Sequence, residues 1–281
     1  MRAPRARGTP IHTGRVKSWT DRFDGYRVAV TDRRIAKWLQ NFRPQDTDLA
    51  ARVLDSVTFV RAEDMEEALR RIVDRLPGWH KSKARRRGKW RFVAFSISAG
   101  ESGDSMLHRS RTALGLSGAQ YDDLFIHKAD LLRSNLTTED SVVFFDDFAG
   151  TGDQACRAWR GDHKTQISGL TELLPGSPKT HLVLIAAAKR AVNRISQETS
   201  LTVHARYILG SDDDVFSASC PHFNSAEKDD LLVYCKKADR KHPRGYGSCG
   251  LLVVLAHRAP NNSLPILHAN HEGWRGLFPR Y

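Results

Sequence analysis

Cysteine is scarce in this chain: four in 281 residues, Cys156, Cys220, Cys235 and Cys249, with no close pair. That excludes a disulfide framework. The missing C-x-x-C step also argues against structural zinc, although Cys220-Pro-His222 could be grouped on paper with Cys235 and Cys249. Long apolar runs are missing too. The longest, Leu182–Ala188 and Leu251–Ala256, fall far short of the roughly 20 residues a membrane helix needs. The opening Met1-Arg-Ala-Pro-Arg-Ala-Arg-Gly-Thr-Pro10 has no apolar segment to make a signal peptide. A soluble, cytoplasmic protein with no membrane partner is expected. No Walker loop, Gly-x-Ser-x-Gly elbow or dinucleotide fingerprint occurs. What remains is ordinary globular usage, 40% apolar and 27% charged, in a length that suits one large domain or two modest ones.

Acidic residues are the minority, 32 against 44 Lys+Arg, for a net charge of +12. They are absent altogether from Lys81 to Arg91, where Lys81, Lys83, Arg85, Arg86, Arg87, Lys89 and Arg91 crowd together. Such a cluster attracts polyanions, nucleic acid first among them. Two other readings stand beside it: a solvated loop ahead of a strand, and a lure by Lys89 and Arg91 for an anionic small substrate. Basicity alone does not choose.

The periodicity divides the chain. Residues 1–30 read as a basic arm with little structure. Residues 31–80 read as a helical region: Arg33–Phe42 aligns Ile35, Trp38, Leu39 and Phe42, and Asp48–Val57 aligns Leu49, Val53, Leu54 and Val57. Glu63–Leu76 aligns Met65, Leu69, Ile72, Val73 and Leu76 before stopping at Pro77-Gly78. From 81 to 281 short apolar runs, Phe92–Ile97, Val142–Phe145, Leu182–Ala187, Leu201–Ile208 and Leu251–Ala256, alternate with segments of helix length. That grammar predicts an α/β domain with a mostly parallel sheet covered on both faces. Its ligands belong just beyond the carboxyl ends of the strands.

One strand end carries the sharpest signal: Val142-Val-Phe-Phe-Asp146-Asp147-Phe-Ala149-Gly150-Thr151-Gly152-Asp153-Gln154. Adjacent acids repel unless they meet hydroxyls or a cation. The small-residue loop behind them offers backbone N–H groups at a helix start, a phosphate cradle. Acids followed by a cradle suit a phosphorylated sugar.

This segment resembles the ribose-5-phosphate loop of type I phosphoribosyltransferases. The resemblance implies that Asp146 and Asp147 hold the ribose hydroxyls of phosphoribosyl pyrophosphate. It implies that Ala149, Gly150, Thr151 and Gly152, with Asp153 and Gln154 at the helix start, take the 5′-phosphate. It also implies Mg²⁺, met by the acids only indirectly through the substrate. Two positions depart from the pattern. Gly150 stands where nucleobase-using members often place an acid that acts as base, and Gln154 stands where many have Thr, with Asp153 adding negative charge. Both put ordinary base salvage in doubt.

A second small-residue loop follows Phe92–Ile97, and the resemblance makes Ser98, Ser102, Gly103 and Ser105 candidates for the pyrophosphate. Near the end, Gly245-Tyr246-Gly-Ser and Pro260-Asn261-Asn262-Ser-Leu-Pro265-Ile precede Trp274-Arg-Gly-Leu-Phe-Pro-Arg280. With the helical region, this is similar to a branch of phosphoribosyltransferase-like proteins from prokaryotic conflict and antiviral loci, including some retron systems. His268 stands where that branch leads one to expect Trp. Tyr246, Asn261 and Asn262 are candidates for the base or acceptor side, against a packed tyrosine and a plain Asx turn. The expectation is cleavage or transfer at the ribose C1 of phosphoribosyl pyrophosphate or a related nucleotide, in antiviral defence and with a possible defence-system partner. The rival is a non-catalytic nucleotide sensor that docks nucleic acid through the basic loop.

Overall fold

The computed structural model describes residues 13–96, 102–161 and 168–280. In chain order they form α1 (Thr13–Arg22), α2 (Asp32–Leu39), α3 (Thr47–Asp55), β1 (Thr58–Val60), α4 (Ala62–Val73), β2 (Trp90–Ala94) and α5 (Ser102–Ala113). Then come β3 (Ser141–Ala149), α6 (Asp153–Arg160), α7 (Leu170–Leu173), β4 (Lys179–Ala188), α8 (Lys189–Glu198) and β5 (Thr202–Leu209). The last elements are α9 (Ser225–Ala238), β6 (Val253–Leu255), α10 (Pro265–His268), β7 (Asn270–His271) and β8 (Trp274–Arg275). The chain folds as two units: Met1–Ala62 together with Gly210–Tyr281, and the intervening Glu63–Leu209.

The intervening unit is built on a four-stranded, all-parallel sheet in the order β2-β3-β4-β5. Register is set by pairs such as Phe92↔Val143, Phe144↔Leu182 and Leu184↔Ala205. Every crossover between these strands carries a helix, as parallel pairing requires. β3 is buried from Ser141 to Asp147 and β4 from Thr180 to Ala188. Unbroken burial of that kind means both faces of the sheet are covered. Val93, Phe95, Phe144, Leu184, Cys156 and Ile195 share one core on this sheet. The expected α/β architecture with a parallel sheet and flanking helices is the one found.

The other unit departs from the sequence reading in two places. Leu251–Ala256 was expected in the main sheet, but β6 pairs in parallel with β1, Thr58 facing Val253. β1 is only three residues long, Thr-Phe-Val, set between two helical stripes, so periodicity had no length in which to show it. Residues 13–22, expected in a weakly structured arm, form α1. Trp19, Phe23 and Tyr26 are spaced i, i+4, i+7 and are all buried. Phe23 and Tyr26 meet Phe278 edge-on at 5.0 and 5.2 Å. That aromatic stripe is a helical signal that the surrounding arginines obscured.

Candidate functional site

β3 runs further than the apolar pattern predicts, carrying Asp146 and Asp147 inside the strand up to Ala149. Its partner β2 ends at Ala94. Among the described residues, the last bond of this ladder is Phe95 N donating to Phe145 O at 2.9 Å, whereas β4 still pairs with Asp146, Phe148 and Ala149. Backbone polar groups of a parallel strand alternate sides, so the Asp147 N–H points to the β2 side of β3. There it donates to Asp146 Oδ1 at 2.9 Å. The acids therefore sit near the carboxyl end of β3, past the level at which β2 ends, with their carboxyl groups close enough to interact.

Both are buried, Asp146 at 3% and Asp147 at 5% exposure. Burial, and next the neighbouring Asp147 charge, push the Asp146 carboxyl well above its ordinary range. Ser102, at the start of α5, opposes this by donating its hydroxyl to Asp146 Oδ1 at 2.5 Å. A carboxyl held in this state gains from any cation or hydroxyl donor that reaches it.

Behind the acids the chain turns through Gly150, Thr151 and Gly152 into α6. Gly152 has φ +78°, and a Cβ there would lie 3.2 Å from Ile195 Cγ1 and 3.3 Å from Ala191 O, so the turn needs glycine. Thr151 Oγ1 donates to Asp153 Oδ2 at 2.8 Å and accepts from Asp153 N at 3.2 Å. The Thr151 hydrogen bond, then the ion pair with Arg194, holds the Asp153 carboxyl below its usual range. Arg194 also donates to Glu198 at 2.8 Å. Arg190, from the same helix, donates to Gly150 O at 3.4 Å. These two arginines were not read from the sequence. The signal was available: Lys189-Arg190 directly follows the apolar run of β4, at the carboxyl end of a strand. The negative charge noted at Asp153 is thus compensated by α8. Gln154 lies half-buried in the first turn of α6.

Of the pyrophosphate candidates, Ser98 lies outside the described residues. Ser102, Gly103 and Ser105 are not in a loop but in the first turn of α5. A Cβ on Gly103 would fall 2.4 Å from Phe95 O, so this glycine permits close approach of α5 to the end of β2. Ser105 is exposed. Of the described candidates, Ser102 is the one brought to Asp146.

Tyr246, Asn261 and Asn262 belong to the other unit. Tyr246 is 37% exposed, and its N–H donates to Asn261 O at 2.8 Å. Asn262 is buried, with its amide donating to Tyr246 O at 3.0 Å and Cys249 Sγ at 3.2 Å. Its amide hydrogens hold this turn together. Asn261 is exposed.

The basic loop splits into two groups. Lys83 pairs with Asp123 at 2.8 Å, and Lys89 Nζ donates to Asn135 O at 3.1 Å. Arg86 donates to His80 O and Lys81 O, both at 2.8 Å, and lies 4.8 Å from the Trp79 ring. Lys81, Arg85 and Arg87 are exposed, with no side-chain hydrogen bond or ion pair among the described residues.

A parallel sheet whose second strand carries paired acids near its carboxyl end and turns through glycine into a helix start defines an α/β protein of phosphoribosyltransferase type. The chain belongs to the PRTase-CE family, whose model matches residues 35–280. That family is associated with prokaryotic defence systems. No curated protein matches the chain. Among the described residues, no helix is long and apolar enough to cross a membrane.

Proposed function

We propose that the Glu63–Leu209 unit binds phosphoribosyl pyrophosphate, or a nucleotide with the same ribose phosphate, and breaks or exchanges the bond at ribose C1 as a cytoplasmic antiviral effector. The observation that carries this reading is the desolvated Asp146–Asp147 pair at the carboxyl end of β3, just before a glycine-dependent helix start. Asp146 and Asp147 accept hydrogen bonds from the ribose 2′- and 3′-hydroxyls. The backbone N–H groups of Thr151 and Gly152, at the turn into α6, take the 5′-phosphate. Ser102 keeps Asp146 oriented for its hydroxyl. With the ring and phosphate fixed, C1 is held in position as its bond lengthens toward an oxocarbenium-like state.

Among the described residues, no three His, Cys, Asp or Glu side chains gather as a metal-ligand set. Two carboxylates alone suit a Mg²⁺ ion carried mainly by the substrate's own phosphates. Bound that way, with Asp146 and Asp147 reaching it through the substrate, the ion would supply charge neutralisation to a pyrophosphate leaving group. Gly150 supplies no carboxylate to deprotonate a purine, which favours water or a macromolecular acceptor over a free base.

Calorimetry with phosphoribosyl pyrophosphate and Mg²⁺, followed by mass analysis of the products, tests the reading. Asp146→Asn with Asp147→Asn is expected to weaken binding by about 100-fold, as two charge-assisted hydrogen bonds are lost. Unchanged affinity in that folded variant would overturn the proposal. A sensor that docks nucleic acid is the second reading, favoured by the unpartnered Lys81, Arg85 and Arg87. It expects biological activity to survive the double Asn substitution.

A further inference from the structure

In the unit formed by both ends of the chain, a concavity of about 440 Å³ opens between α2 and the β7–β8 hairpin. Arg34, Lys37 and Trp38 line one side and His271, Arg275 and Pro279 another. Its size lies within the range of small-molecule sites. Three cations face it, with Glu272 as the one acid among its lining residues.

Lys37 and Arg275 make no side-chain hydrogen bond or ion pair among the described residues. Arg34 is anchored through Nη2, which donates to Leu277 O at 2.9 Å, yet its Nε is buried without an acceptor. A charged donor kept from water without a partner is unfavourable and calls for an explanation. Gathering three like charges around one hollow is also unfavourable unless an anion joins them.

The surrounding backbone is fixed in place. Asn41 Nδ2 donates to Arg275 O at 3.0 Å, and Arg275 N donates to Asn41 Oδ1 at 3.2 Å. This pair of hydrogen bonds ties the hairpin strand to the residues just past α2. Gly276 lines the hollow where a Cβ would meet Ala269 O at 2.6 Å. His271 is held by Ala238 O at 3.0 Å and the Gly273 N–H at 3.1 Å. Its ring therefore serves the scaffold, and Arg34, Lys37 and Arg275 are left to meet a ligand.

The geometry points to a binding site for a nucleotide-sized phosphorylated small molecule, separate from the ribose-phosphate loop of Asp146 and Asp147. Guanidinium and ammonium donors take the phosphate oxygens. Trp38 and Pro279 also line the hollow, whose volume leaves room for a sugar or base that inorganic phosphate would not fill.

The test is calorimetric titration of the full chain with ATP, ADP and inorganic phosphate, in the absence of phosphoribosyl pyrophosphate. The background is Asp146→Asn with Asp147→Asn, so that the other proposed site is already disabled. ATP or ADP is expected to bind at one site, more tightly than inorganic phosphate. Lys37→Glu with Arg275→Glu is expected to weaken it by about tenfold or more. Arg275 is exposed and Lys37 half-buried, and Lys37→Gln with Arg275→Gln should show a smaller loss in the same direction. Absence of nucleotide binding, affinity no better than that of inorganic phosphate, or affinity indifferent to both pairs of substitutions would each overturn the assignment. Failure of the ribose-phosphate site leaves this result unaffected, because the titration is made without it.

Discussion

Asp146 is an unfavourable residue to bury for stability alone. Its carboxyl is pushed above the usual range, so the folded chain holds a proton that the unfolded chain releases, and this contribution to stability falls as pH rises above the ordinary carboxylate value. Asp146→Asn is therefore expected to stabilise the fold at neutral pH by about 1 kcal/mol while ligand affinity drops. Urea unfolding at pH 7 checks the first half. A loss of stability would mean that the side chain serves packing instead. Arg194 is the second informative residue. Arg194→Gln leaves Asp153 uncompensated beside the phosphate loop and is expected to weaken binding of phosphoribosyl pyrophosphate by about 3–10-fold. Adding Asp153→Asn should restore most of it. A double-mutant cycle with no coupling would detach α8 from phosphate recognition.

Among the elements, α5 answers to one glycine. A methyl group at Gly103 collides with Phe95 O, so Gly103→Ala is expected to lower stability by about 1–3 kcal/mol and to draw Ser102 away from Asp146. Denaturant unfolding measures the first effect, and a rise in the Asp146 titration midpoint the second. The elements also show what the chain disclosed in advance. The acids, the glycine turn and α6 were legible because an apolar run, paired charges and a helix start lie side by side in sequence. Ser102 reaching Asp146 was not, since it depends on how closely α5 packs on the end of β2. β1 escaped notice because three residues carry no period. β6 was assigned to the wrong sheet because a buried strand reads alike whichever partner it has.

For the whole molecule, charge and protonation set the conditions. Burial pushes His181 down to about 4 and His268 down to about 4 as well. Between pH 6.5 and 4 the unfolded chain takes up protons there that the folded chain refuses, so stability falls across that window. His181→Asn, which can keep the 3.1 Å contact with His204, should flatten part of the slope in urea midpoints at pH 7, 5.5 and 4.5. Unchanged slope would place the acid sensitivity elsewhere. Reversing charge at Lys81, Arg85 and Arg87 should weaken nucleic-acid binding and reduce its salt dependence by about 1 to 3 in slope. Indifference in a filter-binding titration would leave the loop a solvated face.

The β1–β6 pairing joins Thr58 to Val253 across the whole intervening unit. During synthesis, Trp19, Phe23 and Phe59 must wait for Phe278 to leave the ribosome, whereas the β2–β5 sheet has all its strands well before then. A prematurely terminated product would thus display a finished parallel sheet next to an apolar amino-terminal segment lacking its cover. Quality-control proteases would distinguish it from the full-length product by that exposed segment.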